Sequence, residues 1–338
     1  MGLRIVSDLD EWHRWQRRRH LARAVKHRLV GARDAGDAHA TVIHGSADAD
    51  IVVLVDATHA SMANAVLAPL GHLDPARVIT VLAPGVHLDV AGTARPVPID
   101  ELGSHLGTGR ALLGCGEYTA IGAAAWRWAR SSGIPTFVSQ HGALTPFAPP
   151  LPQGSTLLAW SDADGEFWRS GRADVEHVSV GSQLLWAVQS HGTSVRQPGS
   201  RLVYLGQGHA AELPRRKLVE GVLTVCRQQG AIYRPHPSER DRLSRMTHDL
   251  YGRVGITVDT SDTPLAELDD PVVSVFSTGV LEAAVRGRDA WVDFPRPPSW
   301  LGEFWERYGM QRLGQPPTSP PVLPVESPAR RIAEIVGA

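Results

Sequence analysis

Ala231-Ile232-Tyr233-Arg234-Pro235-His236-Pro237-Ser238-Glu239-Arg240 decides how this chain is read. An apolar run stops at a proline-flanked histidine, and a polar stretch with helical spacing follows. The run predicts a strand over 231–234 and a helix over 238–251. A strand that turns directly into a helix leaves the first helix N–H groups without internal partners, at the positive end of the dipole. Such a corner attracts anions, and Arg234 and His236 add donors there. About forty residues later Phe276-Ser277-Thr278-Gly279 repeats the arrangement, after the apolar Val272-Val273 and before another helix. Two phosphate-friendly corners in one region point to a nucleotide or a nucleotide-sugar.

Working outward, the same alternation of strand and helix fills most of the 338 residues. The first part reads as strands at 3–6, 51–55, 78–82, 111–113, 136–139 and 157–160, with helices over 12–30, near 61–70 and over 118–131. After turn chemistry at Gln197-Pro198-Gly199-Ser200 the pattern restarts. Strands are expected at 201–205, 231–234, 256–258, 272–276 and 290–292, and helices over 211–229, 238–251 and 279–286. Alternation of this kind builds parallel βαβ units with sites at the carboxyl ends of the strands. The expected fold class is α/β, with two Rossmann-like domains facing across a cleft. Residues 1–195 form the first domain and 200–312 the second. A Pro-rich connector and a terminal helix occupy 313–338.

Composition narrows the function. The formal net charge of −1 argues against a protein built to grip nucleic acid. No apolar run reaches the roughly 18 residues that span a bilayer. Leu3–Val6 gives way at once to Asp8 and Asp10, which does not resemble a secretory signal. Two cysteines, Cys115 and Cys226, suggest neither a disulfide framework nor a zinc site and fit a reducing cytoplasm. The basic, aromatic run Trp12–His20 reads as a solvated helix face with its tryptophans packed inward. Its second reading is a peripheral contact with the inner face of a membrane.

Several residues can carry chemistry. His236 would bind a phosphate or protonate a leaving phosphate oxygen. Ser277, Thr278 and Gly279 would hold a second phosphate face. Glu282, one turn into that helix, would accept from ribose hydroxyls; for the Ser277-Thr278 pair a plain helix N-cap is the alternative. Gln140-His141-Gly142 ends the strand 136–139. His141 is placed as a general base, and Gly142 permits a turn and close approach of a ligand. Gly206-Gln207-Gly208-His209 follows the first strand of the second half and reads equally as a structural turn or a nucleotide contact. Asp162 and Asp164 read as helix caps first, and as a cation site or base second. Thr58-His59 and Cys115-Gly116-Glu117 also end strands in the first half.

With those motifs in view, the chain resembles glycosyltransferases of the GT-B type. The likeness is to the group holding CDP-glycerol glycerophosphotransferases, bacterial polysialyltransferases and capsule Kdo transferases. It rests on His141-Gly142, Arg234–Pro237 and Ser277-Thr278, and spans about residues 135–295. It implies His141 as base on a hydroxyl acceptor, with Arg234, His236 and the hydroxyl pair on the nucleotide phosphates. It further implies a CMP- or CDP-linked donor, inversion, no metal and no cofactor, and a role in envelope or capsule polysaccharide or glycoconjugate synthesis. Asp162–Gly165 matches the acidic motif of polysialyltransferases only loosely. Val280-Leu281-Glu282 departs from the glycerophosphotransferase pattern. Two alternatives stand beside this reading: a UDP-N-acetylglucosamine 2-epimerase-like enzyme, and a non-catalytic nucleotide-sugar-binding protein.

Overall fold

The computed structural model describes residues 5, 8–19, 38–107, 109–190, 192, 199–261 and 263–338. The strand expected at 3–6 and the second half of the helix expected over 12–30 lie largely outside the described residues. The chain divides into two compact units, residues 1–186 with 323–338 and residues 187–322. The segment 313–338 is therefore shared, and its helix Pro328–Gly337 belongs to the first unit.

The first unit is built on one eight-stranded sheet. Its strands are β1 (His39–His44), β2 (Ile51–Val55), β3 (Val78–Leu82), β4 (Thr93–Pro98), β5 (Ala111–Gly114), β6 (Thr136–Ser139), β7 (Thr156–Ala159) and β8 (Glu176–Ser179). The order is β4-β1-β3-β2-β5-β6-β7-β8. The β3-to-β8 part is parallel, whereas β1 runs antiparallel to both β3 and β4. Strands buried on both faces read as unbroken apolar runs, and β2 and β3 are buried at every position. Along β2 the side chains alternate between two cores. Val52 and Leu54 join Trp126 and Ala125 of the helix Ala120–Ser132, while Ile51 and Val53 join Met62, Val66, Ile332 and Val336. The terminal helix thus seals the second face. Three strands escaped the sequence reading. β1 and β8 are partly exposed and carry polar ends, and β4 carries two prolines, which an edge strand tolerates.

The second unit holds a four-stranded parallel sheet of β9 (Val203–Leu205), β10 (Ile232–Arg234), β11 (Val272–Ser274) and β12 (Ala290–Val292), ordered β10-β9-β11-β12. The strand expected at 256–258 is reduced to a single bridge between Val258 and Tyr233. Strand order reverses between β9 and β11 here, and between β2 and β5 in the first unit. Open α/β sheets bind ligands outside the carboxyl ends of strands at such switch points. Both units are α/β with parallel-dominated sheets, as expected.

Two expected helix starts are corrected. The helix after β10 begins at Arg242, capped by Asp241, whose Oδ1 accepts from the Ser244 N–H at 3.0 Å. Pro237 instead occupies a tight turn closed by the Glu239 N–H donating to the His236 carbonyl at 2.8 Å. Proline at the second position of a turn is favoured by its fixed φ. The preceding helix likewise starts at Arg215, behind Pro214, rather than at 211.

Candidate functional site

A groove of about 880 Å³ opens at the carboxyl ends of β9, β10 and β11 in the second unit. Gly206, Arg234, His236 and Ser277 line it, so the two corners read from sequence meet there. Arg240, Arg242, Arg245 and His248 line it too, and make the wall basic.

The His236 corner is built differently from a helix N-terminus. No helix dipole stands directly behind the histidine, because the helix begins six residues later. The anion that gathers the backbone N–H groups is the chain's own Glu239. Its side chain is 1% exposed and accepts from Gly208 N at 3.0 Å, His236 N at 3.2 Å and the Tyr233 hydroxyl at 2.7 Å. The His248 Nε2 lies 3.0 Å away as a fourth partner. Buried carboxylates persist when several donors replace their water. This also explains the glycines. A Cβ on Gly206 would stand 2.4 Å from the Tyr233 hydroxyl, and one on Gly208 would stand 3.0 Å from the Glu239 Oε2. The Gly206–Gly208 loop therefore wraps an internal carboxylate.

His236 is exposed, and its ring stacks on His209 with centroids 3.9 Å apart. Its Nδ1 accepts from the Ser238 N–H at 3.1 Å, which fixes the ring and leaves Nε2 as its other nitrogen. Arg234 pairs with Asp259 at 2.8 Å and also donates to the Thr263 carbonyl. Burial raises the Asp259 pKa, but hydrogen bonds from Ser261 and Arg234 outweigh it and hold the carboxyl below its ordinary range. Gln207 is buried and bolts β9 to β11. Its Oε1 accepts from Phe276 N at 2.8 Å and lies 3.1 Å from the Ser274 hydroxyl.

At the second corner the helix Gly279–Val285 is only seven residues long. The Ser277 hydroxyl accepts from Gly279 N at 3.1 Å, whereas Thr278 has helical backbone angles and makes no side-chain cap. Gly279 packs beneath Leu265 and Leu205, where a Cβ would come within 2.6 Å and 2.8 Å of their methyls. Glu282 follows on this helix and is half-buried. Burial pushes its carboxyl up to about 7, against the pull of Arg288.

In the first unit the structure places Gln140 as a bracket. Its Oε1 accepts from Trp160 N at 2.8 Å, and its Nε2 donates to the Gly142 carbonyl at 3.0 Å and to Asp164 Oδ2 at 3.1 Å. Asp164 is 1% exposed and committed to that amide, and the helix cap is Ser161, whose hydroxyl accepts from Asp164 N at 3.1 Å. Asp162 accepts from the Ser179 hydroxyl. Among the described residues no group of three or more His, Cys, Asp or Glu side chains is placed to hold a metal ion.

His141 follows, half-buried, with its Nδ1 enclosed and unpartnered. Burial, and then the charge of nearby His59, push its pKa down to about 4, so the imidazole is neutral at pH 7 and a weaker base than an exposed histidine. A Cβ on Gly142 would meet open space, so neither packing nor backbone angle demands glycine there.

The sequence reading missed Asp56. It follows β2 at the switch point, with both carboxylate oxygens enclosed and without hydrogen bonds of ordinary geometry. Burial raises its pKa, the Thr119 side chain offsets part of the rise, and Asp56 in turn helps raise Cys115 and Tyr118. A carboxylate immediately after the apolar run 51–55 was the signal available. Trp12 of the helix Leu9–Arg19 is buried and donates to the Phe147 carbonyl at 2.8 Å, and Trp15 stacks on Phe147 at 5.0 Å. The aromatic side of that run is thus spent on the body of its own unit.

No family model matches the chain, and no curated protein does. Among the solved structures similar to it at low identity are the following three. UDP-N-acetylglucosamine 2-epimerase from Rickettsia bellii is 11% identical, with 85% of this chain and 94% of that chain covered, at a TM-score of 0.48. S. aureus MnaA, in a co-structure with UDP, is 12% identical, with 85% and 87% covered, at 0.48. KpsC of Thermosulfurimonas dismutans, a beta Kdo 2,4 transferase, is 16% identical, with 82% and 89% covered, at 0.35. None of these likenesses assigns a residue or a reaction to this chain.

Proposed function

We propose that this chain is an enzyme of nucleotide-sugar chemistry: a glycosyltransferase moving a sugar from a nucleotide-activated donor to a hydroxyl acceptor. The observation that carries the reading is the basic groove of the second unit, which gathers Arg234, His236, Gly206 and Ser277 at a switch point. Groups of this kind stabilise charge that grows on a leaving phosphate. His236, held by Ser238 N and stacked on His209, stands on the wall of the groove where the donor's phosphate would lie. Arg234 keeps donors beyond the two it spends on Asp259 and Thr263. Glu239 touches no substrate in this scheme and acts as a positioning residue for both glycines and for His236.

In the first unit neutral His141 is assigned as the base that takes the acceptor's proton. The donor favoured by the motifs is CMP- or CDP-linked, the transfer inverting and independent of metal, and the setting envelope or capsule glycoconjugate synthesis. The acceptor is a sugar, a lipid-linked sugar or a polymer end.

Incubation of the protein with CMP-, CDP- and UDP-sugars, with and without saccharide acceptors, followed by product analysis, tests this. Acceptor-dependent release of the nucleotide, lost in His141→Ala and in His236→Ala, is the expected result. Interconversion or release of the sugar without an acceptor would identify an epimerase-type reaction instead. Binding without any turnover would leave a nucleotide-sugar-binding protein.

A further inference from the structure

The helix Arg242–Arg253 buries Ser244 and Tyr251 and turns its opposite side to solvent. On that side Leu243, Met246 and Leu250 are 53%, 59% and 46% exposed. The other exposed large apolar side chains among the described residues are Val322 and Val325, on the Pro-rich stretch. Positions 243, 246 and 250 follow the spacing of one helical face, so the three form a continuous stripe. Exposed apolar side chains scattered singly need no explanation, but a stripe on one helix marks a contact surface.

The charges beside the stripe say what covers it. At the helical step of 100° per residue, Arg253 and Arg242 run along one side of the stripe, and Asp249 and then Arg245 follow beyond them on that side. All three arginines are exposed, as is Arg240 just before the helix. Asp249 is the acidic residue on the outward face, and Asp241 is occupied by the helix cap. An apolar stripe edged along one side by arginines that outnumber the one acidic residue among them matches the boundary between acyl chains and anionic headgroups. Long arginine stems reach phosphates while their methylenes lie over apolar surface.

We infer that this helix lies in the plane of an anionic bilayer surface, with Leu243, Met246 and Leu250 at the acyl boundary and the arginines at the headgroup phosphates. Arg242, Arg245 and Met246 also line the groove, so docking sets the groove's mouth at the lipid surface.

Flotation of the full chain with vesicles tests this without any assay of sugar transfer. The protein is expected to float with phosphatidylcholine vesicles that contain phosphatidylglycerol and to remain unbound with phosphatidylcholine alone. Added salt should weaken the binding without abolishing it, since the apolar part is not screened. The triple variant Leu243→Gln, Met246→Gln, Leu250→Gln changes only exposed side chains, so it should keep its melting temperature and bind roughly tenfold more weakly or less. Arg253→Glu should also weaken binding. Absence of flotation with anionic vesicles, or undiminished flotation of the folded triple variant, would overturn the inference. So would a dimer seen by light scattering that the triple variant converts to monomer, because the stripe would then be covered by a second copy.

Discussion

Glu239 and His236 are three residues apart and have opposite fates. The carboxylate is enclosed with four partners, and the imidazole is exposed on the groove wall. Removing Glu239 leaves two backbone N–H groups, a tyrosine hydroxyl and a histidine facing an empty polar hole. Glu239→Ala is therefore expected to cost the second unit about 3 kcal/mol or more, read as a lower denaturant midpoint. An unchanged midpoint would show that the hub contributes nothing. Glu282 gives a pH dependence of defined sign. Its carboxyl is raised from 4.5 to about 7 in the folded chain. Between those values the folded state binds more protons than the unfolded one, so this group's contribution favours folding at acid pH and is lost as pH rises through about 7. Glu282→Gln should remove that loss, a relative gain on the order of 3 kcal/mol at pH 8 by chemical denaturation. A variant that tracks the parent across the whole range would contradict it.

At the scale of elements, the strands buried on both faces were legible because apolar residues dominate them, with only Thr80 in β3 and Thr136 and Ser139 at the ends of β6 breaking the runs. β2, β3 and β6 were read to the residue. Helix starts were less legible, because proline serves both as a first helical residue and as a turn residue. At Pro237 the turn wins, since Asp241 offers a better cap and Glu239 folds back on the loop. This assignment has a direct check. Asp241→Ala should cost about 1 kcal/mol of stability through the lost cap, and Ser238→Ala should cost little. The reverse ranking would return the helix start to 238. The glycine pair 206 and 208 was legible as a tight place but not as to what fills it, because Glu239 approaches from another strand's loop.

For the molecule as a whole, the alternation of strand and helix correctly announced two parallel-dominated sheets. The antiparallel edge of β1 and β4 stayed hidden, since pairing between strands distant in sequence leaves no local pattern. Gly206, Arg234, His236 and Ser277 come from three separate strand ends and line one groove. Asp56, signalled only by its place after the run 51–55, and the arginines of the groove wall were not read, because burial and exposure along one helix face are properties of the folded chain. The groove is where the functional proposal stands or falls. Isothermal titration of the chain with CMP, CDP and UDP, in parallel with His236→Ala, is the most direct measurement. The expected result is saturable binding of one nucleotide that the folded variant weakens by tenfold or more, roughly the loss of one charge-assisted contact. No heat of binding with any nucleotide, or equal affinity in the variant, would contradict the assignment of this groove as the donor site.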